Sequence, residues 1–206
     1  MEIILAKKRG FCANTYFVTV DGENAVVIDP AHAGVADELK QRGLRPKFVL
    51  LTHCHFDHVA GVSAVQALGA KVLCSAQEKQ LVGTSCDLFE RFGAKREPYA
   101  IDETIDDGEI RDLCGLTVQT LLTAGHTAGS VCYLIRCGDE TALFTGDTLF
   151  AGTIGRTDFP TGDMAQLRKS LKKLYDLQGD YPVYPGHEEF TSLENERKCN
   201  PFMCDL

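Results

Sequence analysis

Basic residues are the first shortage in this chain. Lysine and arginine number 21 against 29 acidic residues, a formal net charge of −8. Phosphate backbones require a basic face, so nucleic acid is not an expected partner. Long apolar runs are missing too: no stretch reaches the length of about 20 residues that a membrane-spanning helix needs. The N-terminal MEIILAKKRGF passes from apolar to charged, the reverse of a secretory signal. No CxxC occurs, and nine cysteines at positions 12, 54, 74, 86, 114, 132, 137, 199 and 204 form an odd, scattered set. That usage fits reduced thiols in a cytoplasm, not a disulfide framework. Cys132/Cys137 and Cys199/Cys204 repeat a C-x4-C spacing, yet they read as core or surface thiols and not as a zinc knuckle. A G-x-S-x-G elbow is absent, so nothing advertises a serine nucleophile. Internal repeats and low-complexity linkers are absent as well. With 206 residues, 44% of them hydrophobic and 24% charged, the chain suits one domain with an ordinary core.

Strand-like and helix-like segments alternate along it. NTYFVTV and NAVVIDP flank Asp21-Gly22-Glu23, a hairpin signal because Asp-Gly tolerates the positive φ of tight turns. VADELKQRG reads as helix, PKFVLLT as a buried strand, GVSAVQALG as a short helix with a glycine stop, and AKVLCSA as a strand. Residues 77–93 form a weaker helical segment. LTVQTLLT, SVCYLIRC and TALFTGD are three further strands, the last two joined by a turn at Cys137–Glu140. Asp163 is placed to cap a helix in which Met164, Leu167, Leu171 and Leu174 recur at helical spacing. Its Arg168, Lys169, Lys172 and Lys173 read as a solvated face. PVYPG is strand-like, and Thr191 with Glu194 suggests a capping box for the last helix. The alternation predicts an α/β or α+β unit and excludes a helix bundle.

Histidine is where the composition concentrates. The stretch THCHFDHVAG, Thr52 to Gly61, holds three of the six histidines. Imidazoles are costly to bury unpaired and repel one another when protonated, so a cation is expected among them. His53 and His55 are two apart in extended chain and project to the same side. Asp57 and His58 are adjacent, point in different directions, and suit a second ion. His126 in TAGHTAG, Asp147 in FTGDTLF and His187 in YPGHEEF recur at strand ends, each beside a glycine that lets backbone come close to a crowded centre. A satisfied core histidine is a fair reading for any one of these, but not for the whole set. His32 alone is left as an ordinary residue. Imidazole and carboxylate without thiolate suit zinc, iron or manganese, and Cys54, between two proposed ligands, is read as a packed thiol.

With these residues assembled, the chain resembles the metallo-β-lactamase superfamily, in particular its glyoxalase II-like (hydroxyacylglutathione hydrolase-like) branch. The resemblance runs from about Asn14 to Phe202 and is carried by VVIDPA, THCHFDH, TAGHTAGS, FTGDTLFAGTIGRTDFPTGD and YPGHEEFT. It implies an α+β fold, a four-layer αββα sandwich over residues 1–206 with the metal site at one edge of the two sheets. It further implies two divalent ions, zinc first, with iron or manganese as alternatives. By position, His53, His55 and His126 would hold the first ion and Asp57, His58 and His187 the second, with Asp147 bridging. Asp29, in VVIDPA, matches an aspartate beneath the ligands that would orient them, with a turn residue before Pro30 as the second reading. β-Lactamases of the superfamily commonly carry cysteine where Asp147 stands, which points toward thioesters. Glutathione-binding relatives supply a lysine and a tyrosine near the position of GRTD; here Arg156 and Phe159 occupy that region, and the family's C-terminal glutathione-binding helical domain is not expected. Arg156 and Asp158 read as a pair stiffening the loop, and Phe150 and Phe159 as core or pocket wall.

The expected function is therefore a metal-dependent thioester hydrolase, acting on a small molecule such as S-lactoylglutathione through an activated water that Asp57 orients. The alternative of the same fold is a mononuclear-iron persulfide dioxygenase using His53, His126 and Asp147. Lactone or other ester hydrolysis shares the same residues. A non-enzymatic zinc scaffold fits poorly, because structural zinc sites are closed and rich in cysteine.

Overall fold

Alternate residues of each long strand face different cores, and that alternation defines the layers. The computed structural model describes residues 1–204 and 206. A first sheet joins β1 (Glu2–Leu5), β2 (Tyr16–Thr19), β3 (Asn24–Ile28), β4 (Arg45–Leu50), β5 (Lys71–Ser75) and β6 (Glu103–Ile105) in sequence order. The second contains β7 (Ile110–Leu113), β8 (Leu116–Leu122), β9 (Val131–Cys137), β10 (Glu140–Gly146), β13 (Pro182–Pro185) and β14 (Thr191–Ser192), ordered β14-β13-β10-β9-β8-β7. A small ribbon, β11 (Leu149–Phe150) with β12 (Thr153–Ile154), follows β10. Both large sheets are mixed: β3 to β6 run parallel, as do β10 and β13, and the other pairs are antiparallel.

Tyr16, Val18, Val26 and Ile28 turn inward and meet Val118, Tyr133, Ile135 and Phe144 of the second sheet. Their neighbours Phe17, Ala25 and Val27 face outward, onto Val35 and Leu39 of α1 (Gly34–Gln41) and Val62 and Val65 of α3 (Val62–Gln66). On the far side, Leu121, Cys132, Leu134 and Leu143 pack against Leu167, Leu171 and Leu174 of α5 (Met164–Tyr175) and Leu193 of α6 (Leu193–Cys199). Period-2 strands thus serve two cores at once. The result is the expected αββα sandwich.

Most local signals match their elements. Asp21 Oδ1 accepts the Glu23 and Asn24 amides and forms the β2–β3 turn. Asp163 caps α5 by accepting from the Ala165 and Gln166 amides. Other signals need correction. Met164 is 44% exposed, so the buried stripe of α5 begins at Leu167. The last helix is capped by Ser192, which accepts from Asn195 N; Thr191 instead donates to Glu196. Residues 77–93 contain only the end of α4 (Ala76–Lys79) and a 3-10 turn at Ser85–Asp87, because Gly83 and Gly93 take positive φ and stop propagation. The nine cysteines are free thiols. Cys132 and Cys137 face opposite sides of β9, into different cores, so they cannot share an ion. Among the described residues no helix is long and apolar enough to cross a membrane.

Candidate metal centre

Four strands deliver polar residues to one end of the sandwich. β4 runs into His53 and His55 and then into the single turn α2 (Phe56–Val59), which carries Asp57 and His58. β8 leads to the His126 loop, β10 to Asp147 and β13 to His187. β8 and β10 each lie antiparallel to β9, and β13 lies parallel to β10, so all three end on the same side. Val131 N donates to Thr52 O at 2.9 Å and Tyr133 Oη to Leu51 O at 2.7 Å, tying the sheets together there. Two glycines make the approach possible. A Cβ on Gly186 would lie 2.4 Å from Asp147 Oδ1, and one on Gly155 would lie 1.7 Å from Asp147 O.

All seven residues singled out in the sequence converge. The His53 ring lies 4.7 Å from both His55 and His126, which are 4.6 Å apart, and 4.0 Å from His58. His187 lies 5.3 Å from His58. Their donor atoms form two groups, His53/His55/His126 and Asp57/His58/His187, each within 4.8 Å. Asp147 stands between them: Oδ1 is 3.2 Å from His58 Nε2, and Oδ2 is 3.6 Å from His126 Nε2 and 3.7 Å from His187 Nε2. Asp57 Oδ2 is 3.2 Å from His187 Nε2. Donors about 2.1 Å from a shared tetrahedral ion lie about 3.4 Å apart, and the Asp147 and Asp57 contacts, at 3.2 to 3.7 Å, are of that size.

The hydrogen bonds settle which ring nitrogens are bare. Arg156 O can only accept, so the 2.8 Å contact puts the proton of His126 on Nδ1. His58 Nδ1 donates to Asp29 Oδ2 at 2.8 Å. Thr52 Oγ1 spends its proton on Asp29 Oδ2 at 2.6 Å, so His53 Nδ1, 3.1 Å away, must donate to Thr52. In the neutral rings, Nε2 of His53 and His58 then presents a lone pair to the centre, and the lone pair of His126 Nε2 faces His55 Nδ1 at 2.9 Å. Buried His53 Nε2, His55 Nε2, His58 Nε2 and Asp147 Oδ1 have no hydrogen-bond partner. Lone pairs facing a carboxylate repel unless something positive lies between them, and orphaned buried acceptors are costly. The donor set fits a divalent cation.

The electrostatics carry the same message. Burial, reinforced by neighbouring imidazoles, holds His53 far below the usual histidine range and pushes His55 down to about 3. His58 moves the other way: burial opposes its charge, but Asp147 and Asp29 outweigh that and raise its pKa well above the ordinary value. Asp147 is lowered despite burial, chiefly by His58 and then by His126 and His187. Asp57 is lowered against burial by His187 and His58. Positive charge belongs in this cavity, whether a proton or a metal supplies it.

Asp29 is more than a turn residue. It has φ +47°, accepts Thr52 N at 2.8 Å and Thr52 Oγ1, and orients His58. It also lies near His53 and His58 in a third group of metal-ligating type, but its oxygens are already committed to Thr52 and His58. Sequence reading missed Glu78. Fully buried in α4, it accepts Cys54 N at 2.8 Å and Thr127 Oγ1 at 2.7 Å, joining the loops of His55 and His126. Burial raises its pKa. The available signal was the S-x-x-E spacing at Ser75–Glu78, where Ser75 Oγ accepts the Glu78 amide at 3.0 Å. Cys54 is buried with its thiol outside both donor groups.

A pocket of about 680 Å³ opens onto the centre, reaching His55, Asp57, His126, Asp147 and His187. Phe11, Phe56, Phe92, Phe150, Ile154 and Phe159 form most of its remaining wall. Arg156 makes two 2.6 Å bonds to Asp158, as expected, and lies 4.0 Å over the Phe159 ring.

The family model for the metallo-β-lactamase superfamily matches residues 10–187. The chain belongs to the metallo-β-lactamase superfamily. Its relatives in that superfamily include hydroxyacylglutathione hydrolase GloC of Haemophilus influenzae, 34% identical and covering 98% of each chain. Among solved structures it is similar to TTHA1623 in a di-iron-bound form, with TM-score 0.82, 31% identity, and 97% and 99% of the two chains covered. It is also similar to the B3 metallo-β-lactamase BLEG-1, with TM-score 0.83, 31% identity, and 93% and 94% covered. Within the metallo-β-lactamase fold, then, this chain is a metallo-hydrolase by kinship, and its substrate is a separate question.

Proposed function

We propose that the chain is a dinuclear metal-dependent thioester hydrolase. In this reading His53, His55 and His126 would hold one divalent ion and Asp57, His58 and His187 a second, with Asp147 serving both. Zinc suits the nitrogen and oxygen donors, and iron or manganese would be accepted by the same set. Bound there, such ions lower the pKa of water from ~15.7 toward ~7 and draw charge from a carbonyl oxygen.

The residues supply the rest. Asp57 takes a hydrogen bond from the attacking water and aligns it. Asp29 and the Arg156 carbonyl fix the tautomers of His58 and His126, so that Nε2 stays available. The aromatic wall limits bulk water beside the reacting carbonyl. Water oxygen bonds to the acyl carbon, the C–S bond breaks, and the thiol leaves with a proton. Thiolate is a good leaving group, so no strong general acid is required. We further infer one working domain over residues 1–206, in the cytoplasm, where nine free thiols stay reduced.

One observation carries this reading: a second donor group, Asp57/His58/His187, stands beside the first. The member of that group that favours this reading over a mononuclear oxygenase using His53, His126 and Asp147 is His187, which only a second site needs. The test is thiol release from S-lactoylglutathione and simple thioesters by metal-loaded protein, compared with hydrolysis of a chromogenic cephalosporin and oxygen uptake with glutathione persulfide. Thioester turnover should dominate, stop on chelation, and fall at least 1000-fold in Asp147→Ala. Lactam hydrolysis or oxygen uptake exceeding it would overturn the reading.

A further inference from the structure

We propose that the pocket selects thioesters with a bulky apolar acyl group, aromatic or medium-chain, over conjugates of polar peptide thiols. This rests on the hydrolase reading above and names what its substrate carries. Phe56 and Phe92 stack at 4.9 Å, Phe159 meets Phe92 edge-on at 6.0 Å, and Phe159 stands 5.8 Å from His55. An aromatic ladder therefore leads from solvent to the metal-ligating histidines. On the other flank Phe150 lies 6.1 Å from His187.

The mouth of this ladder is itself apolar. Phe11 is 98% exposed on the turn after Gly10, and Phe92 is 53% exposed. Scattered exposed apolar residues are ordinary, but phenylalanines gathered around one cavity mark a surface that an apolar ligand covers. Acyl carbons and rings would bury against them, with edge-to-face contacts available to an aryl group.

Charge points the same way. Outside the proposed ligands, the polar lining residues are Thr153, Arg156 and Glu188. A tripeptide thiol with two carboxylates needs cations to meet them. Arg156 is already bidentate to Asp158 and 4.0 Å over the Phe159 ring, and Glu188 repels carboxylate. Arg91 stands 4.9 Å over the Phe159 ring and lies outside the lining.

The experiment measures kcat/KM for acetyl, hexanoyl and phenylacetyl thioesters of one small thiol, N-acetylcysteamine, on zinc-loaded full-length protein, with S-lactoylglutathione alongside. Hexanoyl and phenylacetyl substrates should exceed acetyl at least tenfold and should exceed S-lactoylglutathione. Phe92→Ser, at a position 53% exposed, should cut the apolar advantage at least threefold, mainly through KM. In a calorimetric arm, phenylacetate should bind at least tenfold more tightly than S-methylglutathione. A flat acyl series, or preference for S-lactoylglutathione, overturns this inference and leaves the hydrolase reading standing. If no thioester is cleaved, the hydrolase reading fails, and the calorimetric preference alone then upholds or overturns the pocket assignment.

Discussion

Asp29 reaches the centre through its neighbours. Its carboxylate receives the Thr52 amide, the Thr52 hydroxyl and His58 Nδ1, and Thr52 in turn receives His53 Nδ1. One side chain therefore sets the direction of two imidazoles belonging to different donor groups. An asparagine there keeps the size but offers one acceptor and one donor, so its NH2 must face a group that is itself a donor. Asp29→Asn should lower metal affinity about 10- to 100-fold, read by competition with a chromogenic chelator, while the circular dichroism of the fold is preserved. The seven converging residues were legible in the sequence because ligand chemistry needs particular side chains beside glycines. Glu78 was not, because the S-x-x-E spacing at Ser75–Glu78 signals only a helix cap, and its carboxylate meets Cys54 N and Thr127 Oγ1 only once distant loops pack together.

Helix α5 shows how a cap serves the centre. Asp163 Oδ1 accepts the Ala165 and Gln166 amides at 2.7 and 3.0 Å, and its own amide donates to Gly125 O at 2.8 Å, next to His126. Gly125 is pressed against Leu167, where a Cβ would come within 2.4 Å of backbone, so helix start and ligand loop are packed together. Asp163→Ala removes only the side-chain cap and should cost about 1 kcal/mol, a fall in melting temperature of about 2–4 °C for a domain of this size. Differential scanning calorimetry checks it; an unchanged transition would mean that the cap contributes nothing. The cap at Asp163 could be read in advance because aspartate precedes a long apolar stripe. The last helix misled by one residue: Thr191 and Ser192 are both capping types and both pair with β13, and the helix starts at Leu193, which leaves Ser192 at the cap. Residues 77–93 misled for another reason, since helical composition there is interrupted by glycines that turn the chain.

The sandwich itself was not derivable from periodicity, which gave alternating strands and helices but not their pairing. Long-range contacts chose it, such as β1 lying beside β2 while β10 skips to β13; the resemblance supplied the layers. Glu38 ties this architecture together outside the candidate metal centre. It accepts Lys7 N at 2.9 Å and two bonds from Arg42 at 3.0 and 2.8 Å, fixing the N-terminal loop to α1. Burial opposes its charge, but the Lys7 amide and Arg42 outweigh this and lower its pKa below 4.5. The unfolded chain then binds the proton more readily than the folded one. The stabilisation is present above about pH 4.5 and is lost as pH falls through the folded value. Glu38→Gln should cost about 1 kcal/mol at pH 7, allowing for screening at the partly exposed Arg42. It should also flatten the acid limb of a melting-temperature profile between pH 5 and 3. A profile parallel to the parent would contradict the assignment.

The whole account rests on seven side chains from four strand ends enclosing two cations. Metal content, measured by inductively coupled plasma mass spectrometry after zinc loading and gel filtration, puts a number on that. The account predicts two zinc ions per chain, falling to one or fewer in His187→Ala with the fold intact. A parent chain that retains no zinc, or only one ion that His187→Ala leaves in place, would contradict it.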